Sequence, residues 1–168
     1  VAEVCQAAAE SQVCSPANFN SIGQVVIAGD KLAVERAVLL AKTKGAKIAK
    51  LIPVSVPSHC ALMADAAKAL SPLLESLTFN APKIPVVNNI DVALLTTAAD
   101  IRLGLEKQLT HSVRWVETVQ FFIKSGVTRI VECGPGKVLT GLNKRIDRQL
   151  ILTAYSDPAS LEESLKIQ

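Results

Sequence analysis

The sequence predicts an α/β fold. Beyond residue 57, helical and extended patterns alternate to the end of the chain, as a layered arrangement of helices on strands requires. Apolar residues make up 49% of the 168, enough to build one sizeable core and too many for a disordered chain. Gly134-Pro135-Gly136 sits between an apolar strand pattern over 128–133 and a helical pattern over 137–146, which reads as a tight strand-to-helix turn.

Taken in order, residues 1–10 keep a helical period through Val1, Val4 and Ala8 with no capping residue ahead of them, so the chain reads as starting in mid-helix, the mark of a truncated sequence. Residues 12–16 read as extended. Gly23 is placed as a turn before a strand over 24–28. Asp30 is expected to cap a helix whose inward positions are Val34, Ala37, Val38 and Ala41, with Gly45 just past its end. Residues 47–56 read as the next strand. Pro57 then biases Val56 toward extended geometry, and Ser58 is expected to cap a helix beginning near His59. That helix runs through Leu62, Ala66, Ala67 and Leu70, with Pro72 expected to kink or restart it.

Residues 84–87 form a short strand. Thr97 and Asp100 make a capping box with Asp in place of the usual Glu or Gln, opening a helix through Leu109. Ser112 is expected to cap another, with Val116, Val119 and Ile123 inward and a stop at Gly126. A strand over 150–154 and a helix with Pro158 in its first turn complete the pattern.

Composition excludes several function classes. A net charge of +3 with 4% aromatic residues gives no stacking platform for nucleic acid. No apolar run is long enough for a membrane helix, and no secretory signal order opens the chain. The cysteines at 5, 14, 60 and 133 form no C-x-x-C pair and read as buried, reduced thiols of a cytoplasmic protein. His59 and His111 lie far apart without ligand-spaced carboxylates, so no metal site is expected.

Val54-Ser55-Val56-Pro57-Ser58-His59-Cys60-Ala61-Leu62-Met63 places an imidazole where a strand gives way to a helix. Spacing alone favours an ordinary capping or packing role for it. The wording of the stretch, however, closely resembles the active-site histidine segment of malonyl-CoA:acyl-carrier-protein transacylases. The segments at 18–29 (NFNSIGQVVIAG) and 132–139 (ECGPGKVL) are similar to that family too, in the same order. The resemblance covers essentially the whole chain but only about the C-terminal half of the family.

It implies an incomplete ferredoxin-like small subdomain over 1–57, lacking its first strand and so carrying an open sheet edge. It also implies the C-terminal part of an α/β-hydrolase-like large subdomain over 58–168. It implies His59 as general base and acid of a serine acyltransferase. The backbone carbonyl of Gln108 would orient the ring in place of the carboxylate of other serine hydrolases, and Asn20 and Ser58 would lie at the rim of the site. Malonyl-CoA and acyl carrier protein are the implied partners, together with the missing N-terminal half. Coenzyme A thioester and phosphopantetheine enter as substrate groups, and no cofactor is implied. The family's Gly-His-Ser-Leu-Gly nucleophile turn, its Gly-Gln-Gly segment and the malonate-binding arginine are absent from this sequence. The alternative reading is therefore an inactive fragment or non-enzymatic domain of the same family.

Other chemical readings are weaker. Gly134-Pro135-Gly136-Lys137 departs from the G-x-x-x-x-G-K-[ST] phosphate loop, leaving a helix N-terminus that would attract a coenzyme A phosphate or, more simply, a turn. Cys60 beside His59 on one helix would point about 100° away from it, and nothing supports a Cys133–His111 pair. Lys47, Lys50, Lys137, Lys144 and Arg145 read as solvated charge or as a basic face for an acidic carrier protein.

Overall fold

A computed structural model describes residues 1–165. Helix α1 (Ala2–Ala9) leads into an antiparallel hairpin of β1 (Cys14–Ser21) and β2 (Gln24–Gly29), followed by α2 (Lys31–Thr43). Gly23 turns the hairpin at φ +78°, a left-handed conformation that costs glycine nothing. The two helices bury Val4, Cys5, Ala8, Ala33 and Ala37 together with Cys14 of β1, and Ile27 of β2 packs against this cluster. Small residues at 33 and 37 let α2 come close, which the i, i+4 spacing on one helix face requires. Arg36 ties the unit shut by donating to the Ala8 carbonyl at 2.9 and 2.7 Å and to Gln12 Oε1 at 2.9 Å.

After an irregular stretch and a 3₁₀ turn (Ala61–Met63) come α3 (Ala64–Ser76), β3 (Val86–Asn88) and β4 (Ala93–Leu95). Next are α4 (Ala98–Thr110), α5 (Trp115–Lys124) and β5 (Arg129–Cys133), then α6 (Val138–Ile146), β6 (Ile151–Tyr155) and α7 (Pro158–Leu165). β3 and β4 pair antiparallel, and β5 and β6 pair parallel around the α6 crossover. Among the described residues the strands form three separate two-stranded sheets rather than one continuous layer. Thr97 and Asp100 form the expected capping box at α4, and α5 turns Val119 fully inward with Val116 and Ile123 half-buried.

Several expectations are corrected. Residues 47–56 form no strand: Ile48 is 80% exposed, and among the described residues no strand lies alongside to take the backbone hydrogen bonds. An apolar run without a pairing partner does not make a sheet. The strand expected at 84–87 begins two residues later, past Pro85, and gains a partner, β4, that the sequence did not signal. Pro72 does not restart α3, which runs through it from Ala64 to Ser76; Pro72 and Lys68, whose carbonyl it leaves without a helical donor, are both exposed to solvent.

Asp30 occupies the N-cap position of α2, but its carboxylate accepts from Val13 N–H at 2.7 Å instead of capping. Ser112 caps nothing; its hydroxyl donates to the Pro16 carbonyl at 2.6 Å, and Arg114 is the residue before α5. Of the four cysteines, Cys5, Cys14 and Cys60 are buried but Cys133 is exposed.

Candidate functional site

The site begins where α4 ends. The last carbonyls of a helix have no partner within it, and here they are divided among neighbours. Lys107 O accepts from His111 N–H at 3.0 Å, Leu109 O accepts from His59 N–H at 2.9 Å, and Gln108 O accepts from His59 Nδ1 at 2.7 Å. A carbonyl can only accept, so Nδ1 carries the hydrogen and, in the neutral ring, Nε2 is the basic nitrogen. His59 is half-buried and its backbone lies at φ +66°, in the left-handed region.

This corrects the local expectation. His59 does not open a helix and Ser58 does not cap one: Ser58 is exposed, its N–H donates to Val56 O at 2.9 Å, and the 3₁₀ turn begins after Cys60. An irregular stretch, a proline and a left-handed turn, rather than a helix N-terminus, present the imidazole. Cys60 is buried, with its thiol donating to Pro57 O at 3.1 Å. Burial raises its pKa above the ordinary cysteine value, so the thiol stays protonated and is no nucleophile. Burial likewise raises Cys14, and pushes Cys5 up to about 12.

The end of α4 is seated against the hairpin. Val113 N–H donates to Ala17 O and Phe19 N–H to Val113 O, both at 2.8 Å, forming a parallel bridge between Asn18 and Val113 next to the Ser112–Pro16 bond. Asn20 is half-buried at an irregularity in β1, between the paired residues Phe19 and Ser21. Thus His59 and Gln108 are in contact, whereas among the described hydrogen bonds none joins Asn20 or the Ser58 side chain to the imidazole.

The turn after β5 is not an open anion site. Glu132 accepts from Leu139 N–H at 3.0 Å and Thr140 N–H at 2.7 Å, so the start of α6 already holds a carboxylate of its own chain. This arrangement favours the simple turn over a phosphate site, with Glu132, just ahead of Cys133, as the group that holds the N–H groups. His111 Nδ1 lies with the Thr110 hydroxyl and Lys107 O rather than with Cys133. Two concavities of about 350 and 550 Å³ lie between α3 and α4, around Ser71, Glu75 and Glu106, and His59 lines neither. Among the described residues no group of three or more His, Cys, Asp or Glu side chains is placed to hold a metal ion. In the same residues no helix is long and apolar enough to cross a membrane.

No family model matches the chain. It is 54% identical over 165 residues to the malonyl CoA-acyl carrier protein transacylase of Salmonella typhimurium, covering 98% of this chain and 53% of the relative. It is 40% identical over 157 residues to the protein of the same name from Bacillus subtilis, covering 94% and 50%. Among solved structures, it matches an acyl carrier protein S-malonyltransferase from Vibrio cholerae with a TM-score of 0.94 at 54% identity, covering 97% of this chain and 53% of that one. It also matches a malonyl-transacylase solved in complex with a type II PKS acyl-carrier protein, with a TM-score of 0.97 at 51% identity, covering 99% and 54%. The chain spans about half the length of the curated relatives it matches.

Proposed function

We propose, from the premise that the chain is the C-terminal part of a malonyl CoA-acyl carrier protein transacylase, that the complete polypeptide transfers malonyl from coenzyme A to acyl carrier protein in fatty-acid synthesis. The route is a serine-bound intermediate, with His59 as base and acid. The observation that carries the assignment is the 2.7 Å bond from His59 Nδ1 to the Gln108 carbonyl. It fixes the tautomer that leaves Nε2 free to take a serine proton. As the serine oxygen attacks the thioester carbonyl, Nε2 accepts its proton. The resulting imidazolium lies against the carbonyl end of α4, where positive charge is favoured. Nε2 then returns the proton to the departing coenzyme A thiolate. In the second half-reaction it takes the proton of the phosphopantetheine thiol, which attacks the acyl-serine, and gives it back to the serine.

The serine, the oxyanion donors and the malonate-binding arginine fall to the rest of the polypeptide, so the 168 residues alone are expected to transfer nothing. No cofactor is needed, since coenzyme A and phosphopantetheine are substrate groups. We assign residues 1–57 to an incomplete ferredoxin-like subdomain and 58–168 to the α/β-hydrolase-like one, place Asn20 and Ser58 at the rim, and locate the protein in the cytoplasm. In the full-length enzyme, His59→Ala is expected to lower kcat by about 10²–10⁴-fold with unchanged circular dichroism. Near-parental turnover by that folded variant would remove His59 from the mechanism. Gln108→Ala keeps the carbonyl and is expected to be far milder.

A further inference from the structure

The turn that carries His59 has a lock of its own. Residues 57–60 reverse the chain between an irregular apolar stretch and the 3₁₀ turn, and His59 holds φ +66°, which few non-glycine residues adopt. A conformation of this kind persists only where its surroundings over-determine it. Two bonds come from outside the turn, to the Gln108 and Leu109 carbonyls. A third is internal: the thiol of Cys60, 1% exposed, donates across the turn to Pro57 O at 3.1 Å.

We propose that Cys60 is a positioning residue for acyl transfer, its buried S–H holding the Pro57 carbonyl so that the His59 ring stays registered on the Gln108 carbonyl. The inference rests on the reading of His59 as the base. An S–H group is a weak donor, but burial keeps this one protonated at neutral pH, so it is always available to donate. It also acts where small errors matter, since a base displaced from hydrogen-bond reach of its proton loses much of its effect. If Cys60 only filled space, any apolar side chain of similar size would serve.

The test is made in the full-length enzyme with Cys60→Ser, which keeps a donor, and with Cys60→Ala and Cys60→Val, which do not. Turnover is read beside the NMR signal of the His59 Nδ1 proton. Serine is expected to retain kcat within about twofold. Alanine and valine are expected to lower it by about three- to tenfold with KM unchanged, and to speed solvent exchange of the Nδ1 proton. Parental kcat and exchange in a folded valine or alanine variant would overturn the proposal. So would a serine variant as slow as alanine. His59→Ala, assayed alongside, separates the two failures: if it is inactive while the Cys60 variants match the parent, only the lock is wrong, and if it is active the reading of His59 falls as well.

Discussion

Two stretches of this chain carry comparable apolar content and end very differently. In the unit formed by α1, β1, β2 and α2, a set of apolar residues meets in a core, with Cys5, Ala8, Ala33 and Ala37 all buried, although Ile22, Leu32 and Leu39 face outward. Residues 47–56, with Ile48, Leu51, Ile52, Val54 and Val56, meet nothing comparable and leave all five side chains exposed. Composition does not distinguish them; the presence of a neighbour does. Exposed apolar residues recur at Ile84, Val86 and Leu94 around the β3–β4 hairpin and at Val131 and Ile151 on the β5–β6 pair. So many exposed large apolar side chains are what a chain shows when another surface ordinarily covers them, which agrees with relatives about twice as long as this chain.

The comparison breaks most sharply under charge. Ala37 is wholly buried, so Ala37→Asp places a carboxylate in the core with no partner and is expected to cost about 3 kcal/mol or more. The loss should appear as a large drop in melting temperature by circular dichroism. Ile48→Asp in the same 168-residue chain should change stability by no more than about 0.5 kcal/mol, as at ordinary surface positions. In the full-length polypeptide the same Ile48 substitution is expected to cost about 2 kcal/mol or more, because the side chain would there be covered. Equal, small effects of Ile48→Asp in both lengths would show that the exposed stretch is simply surface.

An intermediate effect is expected within the self-contained unit. Arg36 satisfies the carbonyls at the end of α1 and contacts Gln12. Arg36→Ala leaves those carbonyls to find water and should cost about 1–3 kcal/mol by denaturant unfolding. A change indistinguishable from that of an exposed-surface control would mean that packing of Val4, Ala8 and Ala37 alone closes the unit.

Legibility in the sequence followed the same division. Elements whose determinants are local were readable: the capping box of Thr97 and Asp100, the glycine at 45 ending α2, and the strand-turn-helix at 128–146 all lie where their residues place them. Elements that need a distant partner were not. The strand expected at 47–56 has the apolar content and no neighbour to pair with, and β4 is defined by its pairing with β3. Side chains with two competing uses also escaped. Asp30 and Ser112 are good caps in isolation, but each finds a backbone partner across the fold, at Val13 and Pro16. The His59–Gln108 contact spans 49 positions, so no periodicity reveals it. It was reached only through resemblance, and the left-handed turn beneath it had no sequence signal beyond Pro57.

The smallest effect is expected at a solvent-facing polar link between β5 and α6. Glu132 receives the N–H groups of Leu139 and Thr140, joining β5 to the start of α6. Hydrogen bonding from the Thr140 side chain, then from the Thr140 and Leu139 backbone, holds its carboxyl below the usual glutamate range. A depressed folded-state pKa means that the charged form is the one the fold favours. Its contribution is therefore fully present above the unfolded-state pKa and is lost as pH falls through the lower folded value. Because the group is near the surface, water and salt screen much of that contribution. Glu132→Gln, which keeps one acceptor but loses the charge, should melt slightly below the parent at neutral pH. The gap should close as pH is lowered from about 5 toward about 3. A gap that stays constant across that range would mean the side chain acts through shape alone, and the turn after β5 would then owe its form to Gly134, Pro135 and Gly136 rather than to the carboxylate at its base.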